Sequence, residues 1–367
     1  MSDEMKRPAG NCHAGQAKSE NAGSLRDALR GCLLGGAVGD ALGAPVEFMS
    51  EKAIRRQYGA NGVTGYVEFP DGTGSITDDT QMTLFTAEGI LRAHVGKIEK
   101  GACDPVAVMR NAYRRWLKTQ GGRVPANTSD EVLGSGWLIR EKQLFSWRAP
   151  GNTCLSALEI PADLEKAPND RKGCGTVMRM APPGLFFAPE EAYDYGCRFS
   201  ALTHGHQTGI TTGGAFAMLI AELLAKKPLE EALELVLGFL GGKPDAAETA
   251  AALRKASEAK NVSELGEGWI AEEALAIGVF CARKHPRDFR AGVLAAVNID
   301  GDSDSTGAIT GNILGVINGE SAIPAEWLSR LREREIVSQM ADDLWKRFEA
   351  DGSGHATLEW LDKYPGA

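Results

Sequence analysis

Two stretches of this chain carry a glycine at every fourth position. Gly31, Gly35, Gly39 and Gly43 recur at that interval, and Gly307, Gly311 and Gly315 repeat it near the other end of the sequence. On an α-helix a four-residue interval lines side chains up along one ridge. A glycine inside a helix costs about 1 kcal/mol relative to alanine. A whole ridge of them makes sense only where another backbone must approach so closely that a Cβ would be in the way. Both stretches are therefore expected to be helices, and the second could pack against the first.

The remaining pattern is mostly helical. Helical periodicity is read at about 78–94, 104–118, 129–144, 187–202, 208–225 and 229–240. It continues at about 244–260, 270–284, 287–298, 305–317, 324–333 and 336–350. The best strand candidate, VTGYVEF over 63–69, is short. No fixed-period repeat is present. Residues 1–24 are polar, mixed in charge and rich in small residues, and read as a flexible arm. Helical patterning begins near Leu25, with Leu25, Leu29 and Leu33 on one face, so residues 25–367 are expected to form a single, mostly α domain.

Composition narrows the function. The chain has 367 residues, 43% hydrophobic and 24% charged, enough for a large buried core. A net charge of -9 argues against a general nucleic-acid binder or an anionic-membrane binder. The seven cysteines are odd in number and form no C-x-x-C, which suits reduced thiols in a cytoplasm rather than a disulfide framework or a zinc site. No secretory signal is expected at the N-terminus, and Asp40 interrupts the longest small-apolar stretch, which is too short to span a bilayer.

Two clusters of acids carry the chemistry. In ITDDTQMT (76–83), Thr77 can cap a helix whose first turn holds Asp78 and Asp79, where orphan N–H groups favour acids. In NIDGDSDSTGAITGNILGV (298–316), Asp300, Asp302 and Asp304 alternate ahead of the second glycine ridge, with Ser305 or Thr306 as the plain capping alternative. An EF-hand loop from Asp300 fails, because its sixth and twelfth positions would be Ser305 and Gly311. If Asp78, Asp79, Asp302 and Asp304 converge to within about 6 Å, they cannot all stay ionised without protons or cations between them. Hard oxygen donors suit Mg²⁺ or Mn²⁺, and bridging carboxylates suit two ions about 3.5–4 Å apart. Thr77 and Ser305 can add hydroxyl oxygens. Asp40 reads as a supporting interior acid and Asp300 as a turn residue.

The segments GDALGAPVEF (39–48), TDDTQMT (77–83), APGNTC (149–154), GCGTVMRMAP (173–182), LTHGHQ (202–207), GEGWIAEEAL (266–275) and GDSDSTGAITGNILG (301–315) occur in that order. Together they resemble the ADP-ribosylglycohydrolase family over about residues 25–330. The resemblance implies a compact, all-α fold of orthogonally packed helices with a two-metal cleft. It implies an enzyme that takes ADP-ribose off modified protein side chains by cleaving an N-glycosidic bond, with arginine as the favoured acceptor. The metal ligands fall on Thr77, Asp78, Asp79, Asp302, Asp304 and Ser305, holding two divalent ions, Mg²⁺ ahead of Mn²⁺. Glu47, Asp79 and Asp304 carry the catalytic roles, with Asp40 behind them. Gly151 and Asn152 hold the ribose, the Gly173–Gly175 turn approaches the diphosphate, and His204 lies near the ADP-ribose.

Where some relatives carry an acid just upstream of the Asn, this chain reads Arg148-Ala149-Pro150. A base there would have to be replaced by Glu47, a metal ligand or an activated water. His204 and His206 do not share a helix face and have no companions for zinc. Cys174 has no neighbouring base to make it a nucleophile, and Trp269 is expected as core or cleft wall. Ordinary glycosidase logic with two free carboxylates does not transfer, because these acids would be held by metal. The resemblance also suggests a partner: residues 1–24 could contact a cognate ADP-ribosyltransferase toxin, as an immunity protein would. The alternatives are a purely occluding binder, or a hydrolase of serine-linked ADP-ribose or O-acetyl-ADP-ribose.

Overall fold

The two glycine ridges meet. In the computed structural model, which describes residues 12–68, 72–347 and 349–366, helix α1 (Cys12–Gly43) runs antiparallel to helix α14 (Ser303–Asn318). A Cβ added to Gly31 would lie 2.3 Å from the Gly315 carbonyl oxygen, and one on Gly35 2.3 Å from that of Gly311. One on Gly39 would lie 2.0 Å from the Gly307 carbonyl oxygen, and one on Gly43 2.2 Å from that of Ser303. As one number rises by four the other falls by four, so the ridges stay in step from end to end. Cα–H groups and carbonyl oxygens face each other at every rung, a contact that any side chain would abolish. The seam also fixes a register: the C-terminal end of α1 lies beside the N-terminal end of α14.

Fifteen further helices complete the fold among the described residues. They are α2 (Glu51–Tyr58), α3 (Asp78–Lys100), α4 (Pro105–Thr119), α5 (Asp130–Gly134), α6 (Asn152–Leu158), α7 (Ala181–Phe186), α8 (Pro189–Ala201) and α9 (Gln207–Leu224). After these come α10 (Leu229–Gly241), α11 (Ala247–Glu258), α12 (Ala271–Lys284), α13 (Phe289–Val297), α15 (Ala325–Leu328), α16 (Arg334–Lys346) and α17 (Leu358–Lys363). No strand is present among the described residues. Helix α1 from Ala28 onward and helices α3, α9 and α14 are buried on nearly every face, as helices at the centre of a large all-α domain must be. Leu29, Leu33, Leu34, Val38 and Leu42 of α1 join Leu84, Phe85 and Leu91 of α3 and Phe216 and Ile220 of α9 in one continuous core. No single helix among the described residues is long and apolar enough to cross a membrane.

Several elements depart from expectation. Helix α1 starts at Cys12 rather than near Leu25, so the second half of the expected arm is helical, while residues 1–11 lie outside the described residues. The stretch 129–144 is broken: Gly136 adopts φ +94°, and beyond it the chain makes two short 3₁₀ turns, at Leu138–Arg140 and Lys142–Leu144. The helix expected over 324–333 is only the single turn of α15. Over its described part VTGYVEF is a loop. Its Val63 bonds the Asn298 side chain instead of a strand, donating at 2.7 Å and accepting at 2.9 Å. The alternation there reports Val63 and Tyr66 turning inward, not a ladder.

Candidate metal centre and cavity

Helix α3 starts as its sequence requires. The Thr77 hydroxyl accepts from the Asp79 N–H at 3.3 Å. A second cap comes from α1. Asp40 of α1 accepts the Thr77 N–H on both carboxylate oxygens at 3.0 Å, the Thr80 N–H at 3.1 Å and the Thr80 hydroxyl. Asp40 is fully buried and fully bonded, so its work is to hold the first turn of α3 against α1. Helix α14 is capped three residues earlier than Ser305, the nearer capping candidate. Asp302 is its cap, accepting from the Ser305 N–H at 3.3 Å, and Asp304 also accepts that N–H, at 3.0 Å. Asp300 stays outside, capping α2 by accepting the Glu51 N–H.

Because α1 ends where α14 begins, Glu47 arrives beside these acids after one 3₁₀ turn, Ala44–Val46. Carboxylate oxygens of Glu47, Asp302 and Asp304 lie within 4.8 Å of one another. Asp304 is also hydrogen-bonded to the Thr77 side chain, which ties the two acid-headed helices together. Asp78 accepts from the Gly151 N–H at 3.2 Å and gives its own N–H to the Arg148 carbonyl at 2.9 Å. Asp79 is 3% exposed, yet its Oδ2 has no hydrogen-bond partner among the described residues.

These acids line a cavity of about 280 Å³. Glu47, Asp78, Asp79, Asp302, Asp304 and Ser305 form one side; Gly151, Asn152, Gly173, Gly175 and His204 come from the other. Thr77 and Asp40 sit just behind the acid wall. Phe48 (φ +66°) and Ala149 (φ +52°), two non-glycine residues in the left-handed region, both line the cavity. Such conformations cost of order 1–3 kcal/mol and persist where the surroundings impose them. Phe48 is 74% exposed and stacks on Trp269 with ring centroids 5.1 Å apart, forming the rim. The Trp269 side chain in turn donates to Glu267 at 3.0 Å.

Burial and mutual repulsion raise the proton affinity of the whole acid wall. Glu47 is pushed up to about 10 by burial and then by Asp304, Asp302 and Asp78. Asp40 is pushed up to about 7 by burial and Asp304, despite its hydrogen bonds. Asp78, Asp79 and Asp302 are held well above the usual carboxylate range by burial and then by Asp304. Asp304 is raised by burial. Carboxyls so arranged either hold protons or share cations. The orphaned Asp79 oxygen, the close oxygens of Glu47, Asp302 and Asp304, and the hydroxyls of Thr77 and Ser305 make an all-oxygen donor set that fits hard divalent ions.

The facing wall has the opposite character. Gly173 and Gly175 flank a turn whose Cys174 N–H donates to the Trp269 carbonyl at 3.1 Å. The His204 ring lies against both glycines: its Nε2 would be 3.4 Å from a Cβ on Gly173 and its Cε1 3.0 Å from one on Gly175. Burial and then Arg179 drive the His204 imidazole down to about 3, so it is neutral. His206 turns away and caps α9, accepting the Thr208 N–H at 3.1 Å. Burial, Asp302 and Asp79 raise the Cys174 thiol well above its usual range, consistent with an inert thiol. Sequence reasoning assigned nothing to Phe48, Arg179 or Thr203. Only Arg179 left a trace, as a charge inside the otherwise apolar run GTVMRMAP.

Comparison with known proteins converges on one family. Residues 21–354 match the family model described as ADP-ribosylglycohydrolase. The chain is 28% identical to the ADP-ribosyl-dinitrogen reductase glycohydrolase of Rhodospirillum rubrum, over 86% of this chain and 95% of that protein. It is 25% identical to the ADP-ribosylarginine hydrolase Tri1 of Pseudomonas putida, over 88% of this chain and 78% of that protein. A solved structure described as an ADP-ribosylglycohydrolase-related protein complex superimposes with a TM-score of 0.62 at 26% identity, covering 89% of this chain and 99% of that one.

Proposed function

Because this chain belongs to the ADP-ribosylglycohydrolase family, we propose that it is a metal-dependent hydrolase that removes ADP-ribose from modified protein side chains, with arginine as the acceptor. The observation that carries the reading is the acid wall, where buried carboxyls from both chain ends meet with one oxygen left orphaned. Thr77, Asp78, Asp79, Asp302, Asp304 and Ser305 would hold two divalent ions, Mg²⁺ ahead of Mn²⁺, and Glu47 is close enough to share them. Bound there, the ions supply positive charge and Lewis acidity toward hydroxyls and water.

The protein's own groups do the rest. Asn152, exposed at the start of α6, offers its amide to the ribose hydroxyls. The Gly173–Gly175 turn lets backbone approach the diphosphate where a Cβ would intrude. The bond between ribose C1″ and the guanidino nitrogen breaks as water adds to C1″. The leaving guanidine takes up a proton, which its high basicity favours. Glu47 is the acid best placed to move that proton. It stands at the cavity, only partly buried, and its neighbours keep its proton affinity high.

Arginine is favoured over other acceptors because relatives named for arginine-linked and dinitrogen-reductase-linked ADP-ribose align over most of this chain. The test is a side-by-side assay of arginine-linked and serine-linked ADP-ribose and O-acetyl-ADP-ribose, each with Mg²⁺, Mn²⁺ or EDTA. Release from arginine that needs metal supports the reading. Release that survives exhaustive chelation, or that is confined to another linkage, overturns it.

A further inference from the structure

Behind the cavity lies a charge that the hydrolase reading leaves unexplained. Arg179 is fully buried, and none of its hydrogen bonds among the described residues goes to a carboxylate. Its Nε donates to the Tyr113 hydroxyl at 3.1 Å, its Nη2 to the Thr203 hydroxyl at 2.6 Å, and its Nη1 lies 3.4 Å from the Cys154 sulfur and 3.6 Å from that of Met82. The guanidinium also stacks over the Tyr113 ring at 4.7 Å. A buried cation held only by neutral groups is costly, so its position calls for a purpose beyond packing.

The chain of donors leads to the cavity. The Thr203 hydroxyl lies 2.8 Å from His204 Nδ1. A hydroxyl has one hydrogen to give. Arg179 already donates to this oxygen, and the hydroxyl hydrogen can go to His204 Nδ1, to the Cys154 sulfur, a weak acceptor that already takes an Arg179 N–H, or to the Ser200 carbonyl at 3.5 Å. That carbonyl already accepts the Thr203 and His204 N–H groups, both at 3.2 Å, and 3.5 Å is too long to compete. His204 Nδ1, at 2.8 Å, is thus the nearest and strongest acceptor for that hydrogen, an arrangement that leaves Nδ1 unprotonated and the ring proton on Nε2. No protein acceptor is found for Nε2 among the described residues, and the ring lines the cavity beside the Gly173–Gly175 turn.

We propose that Arg179 and Thr203 are positioning residues that fix His204 as a neutral Nε2–H donor aimed into the cavity at an oxygen acceptor of the bound nucleotide. The direction of each hydrogen bond is dictated at its source, since guanidinium can only donate. The donor then needs no proton from solution, and a neutral donor does not compete with the cations across the cavity. The nature of the acceptor rests on the hydrolase reading; the tautomer does not.

The test uses the full chain. ¹⁵N-edited spectra of the imidazoles, with the His204 signals identified by their loss in His204→Gln, report the tautomer directly. The expected wild-type result is an Nε2–H ring with a bare Nδ1. An Nδ1–H or doubly protonated ring at neutral pH overturns the proposal, whether or not the protein binds or cleaves anything. Thr203→Val removes the hydroxyl at constant shape and should let the Nδ1–H form appear. It should weaken binding of free ADP-ribose about tenfold, the loss of one hydrogen bond, while Thr203→Ser restores both. A folded Thr203→Val protein with wild-type tautomer and affinity also overturns it. If Thr203→Val does not fold, the wild-type spectrum alone decides.

Discussion

The two walls of the cavity are built on opposite principles. The acid wall concentrates carboxyls that repel one another, and one Asp79 oxygen has no partner among the described residues. The facing wall is complete in itself: Arg179 has neutral acceptors, Thr203 spends its one hydrogen, and His204 is left neutral with one donor free. The difference lies in what each wall asks of a ligand. The first lacks positive charge and has room for cations. The second presents donors and has room for anionic or hydroxyl oxygens. A ligand spanning both would carry a polyol end that metal can grip and an oxygen-rich end that wants N–H groups. Asp40 shows that the contrast is not one of burial. It is as deeply buried as Asp79, but its oxygens are satisfied by α3, and it belongs to the scaffold.

Replacing a carboxylate of the acid wall should break the contrast most severely. Asp304→Asn is expected to lower ADP-ribose release by more than about 100-fold, beyond the 10–100-fold typical of outer-shell partners. Its helicity by circular dichroism should be unchanged. In EDTA its thermal midpoint should equal or exceed that of the wild type, because one repelling charge is gone. A purely structural aspartate would instead lower it.

The seam comes next. Gly39→Ala puts a methyl 2.0 Å from the Gly307 carbonyl oxygen, and should destabilise by about 3 kcal/mol or more, the upper end of overpacking costs. Thermal denaturation checks this. Metal affinity should fall with it, since the register of α1 on α14 delivers Glu47 to Asp302 and Asp304, while the His204 tautomer should be unaffected.

The pH dependence sharpens the comparison further. Carboxyls whose folded proton affinity is raised hold more protons folded than unfolded, so stability falls as pH rises. The window runs from the unfolded carboxylate range near about 4 up through the raised values, about 7 for Asp40 and about 10 for Glu47. In EDTA the melting temperature should therefore drop between about pH 6 and pH 9, and saturating Mg²⁺ should flatten that drop. A metal-free protein equally stable across this range would mean that the carboxyls are not mutually strained.

The smallest effect is a control. Beyond its own helix backbone, Gly238 of α10 has nothing among the described residues within 4 Å of an added Cβ. Gly238→Ala should therefore stabilise by about 0.5–1 kcal/mol through helix propensity and chain entropy alone. The same substitution should thus have opposite signs at residues 39 and 238.

The seam and the acid clusters were legible in the sequence because each is a local pattern with one strong physical reason behind it. Glycines four apart demand a close neighbour, and acids at helix starts demand either a cap or a cation. The break at Gly136 was harder to read. It depends on a single positive φ, and the apolar periodicity around it continues regardless. The short helices α2, α6, α7 and α17 are too brief for periodicity to register; docking onto the core holds α6, α7 and α17, and Ile54 anchors α2 in a small separate cluster with Val46 and Val63. Glu47 was picked out, but its closeness to Asp302 and Asp304 follows only once α1 and α14 are laid side by side. Thr203 could not be read at all, and Arg179 only as a stray charge in an apolar run. Their meaning lies in who donates to whom, between residues 24 apart in sequence, and no spacing encodes that.

The central claim is that acids at the starts of α3 and α14 share cations at the end of the α1–α14 seam. Anomalous diffraction from crystals grown with Mn²⁺ tests it most directly. The expected result is two ions about 3.5–4 Å apart, touched by Asp78 or Asp79 on one side and by Asp302 and Asp304 on the other. A cavity without manganese at saturating concentration, or an ion held by the acids of one helix alone, would contradict it.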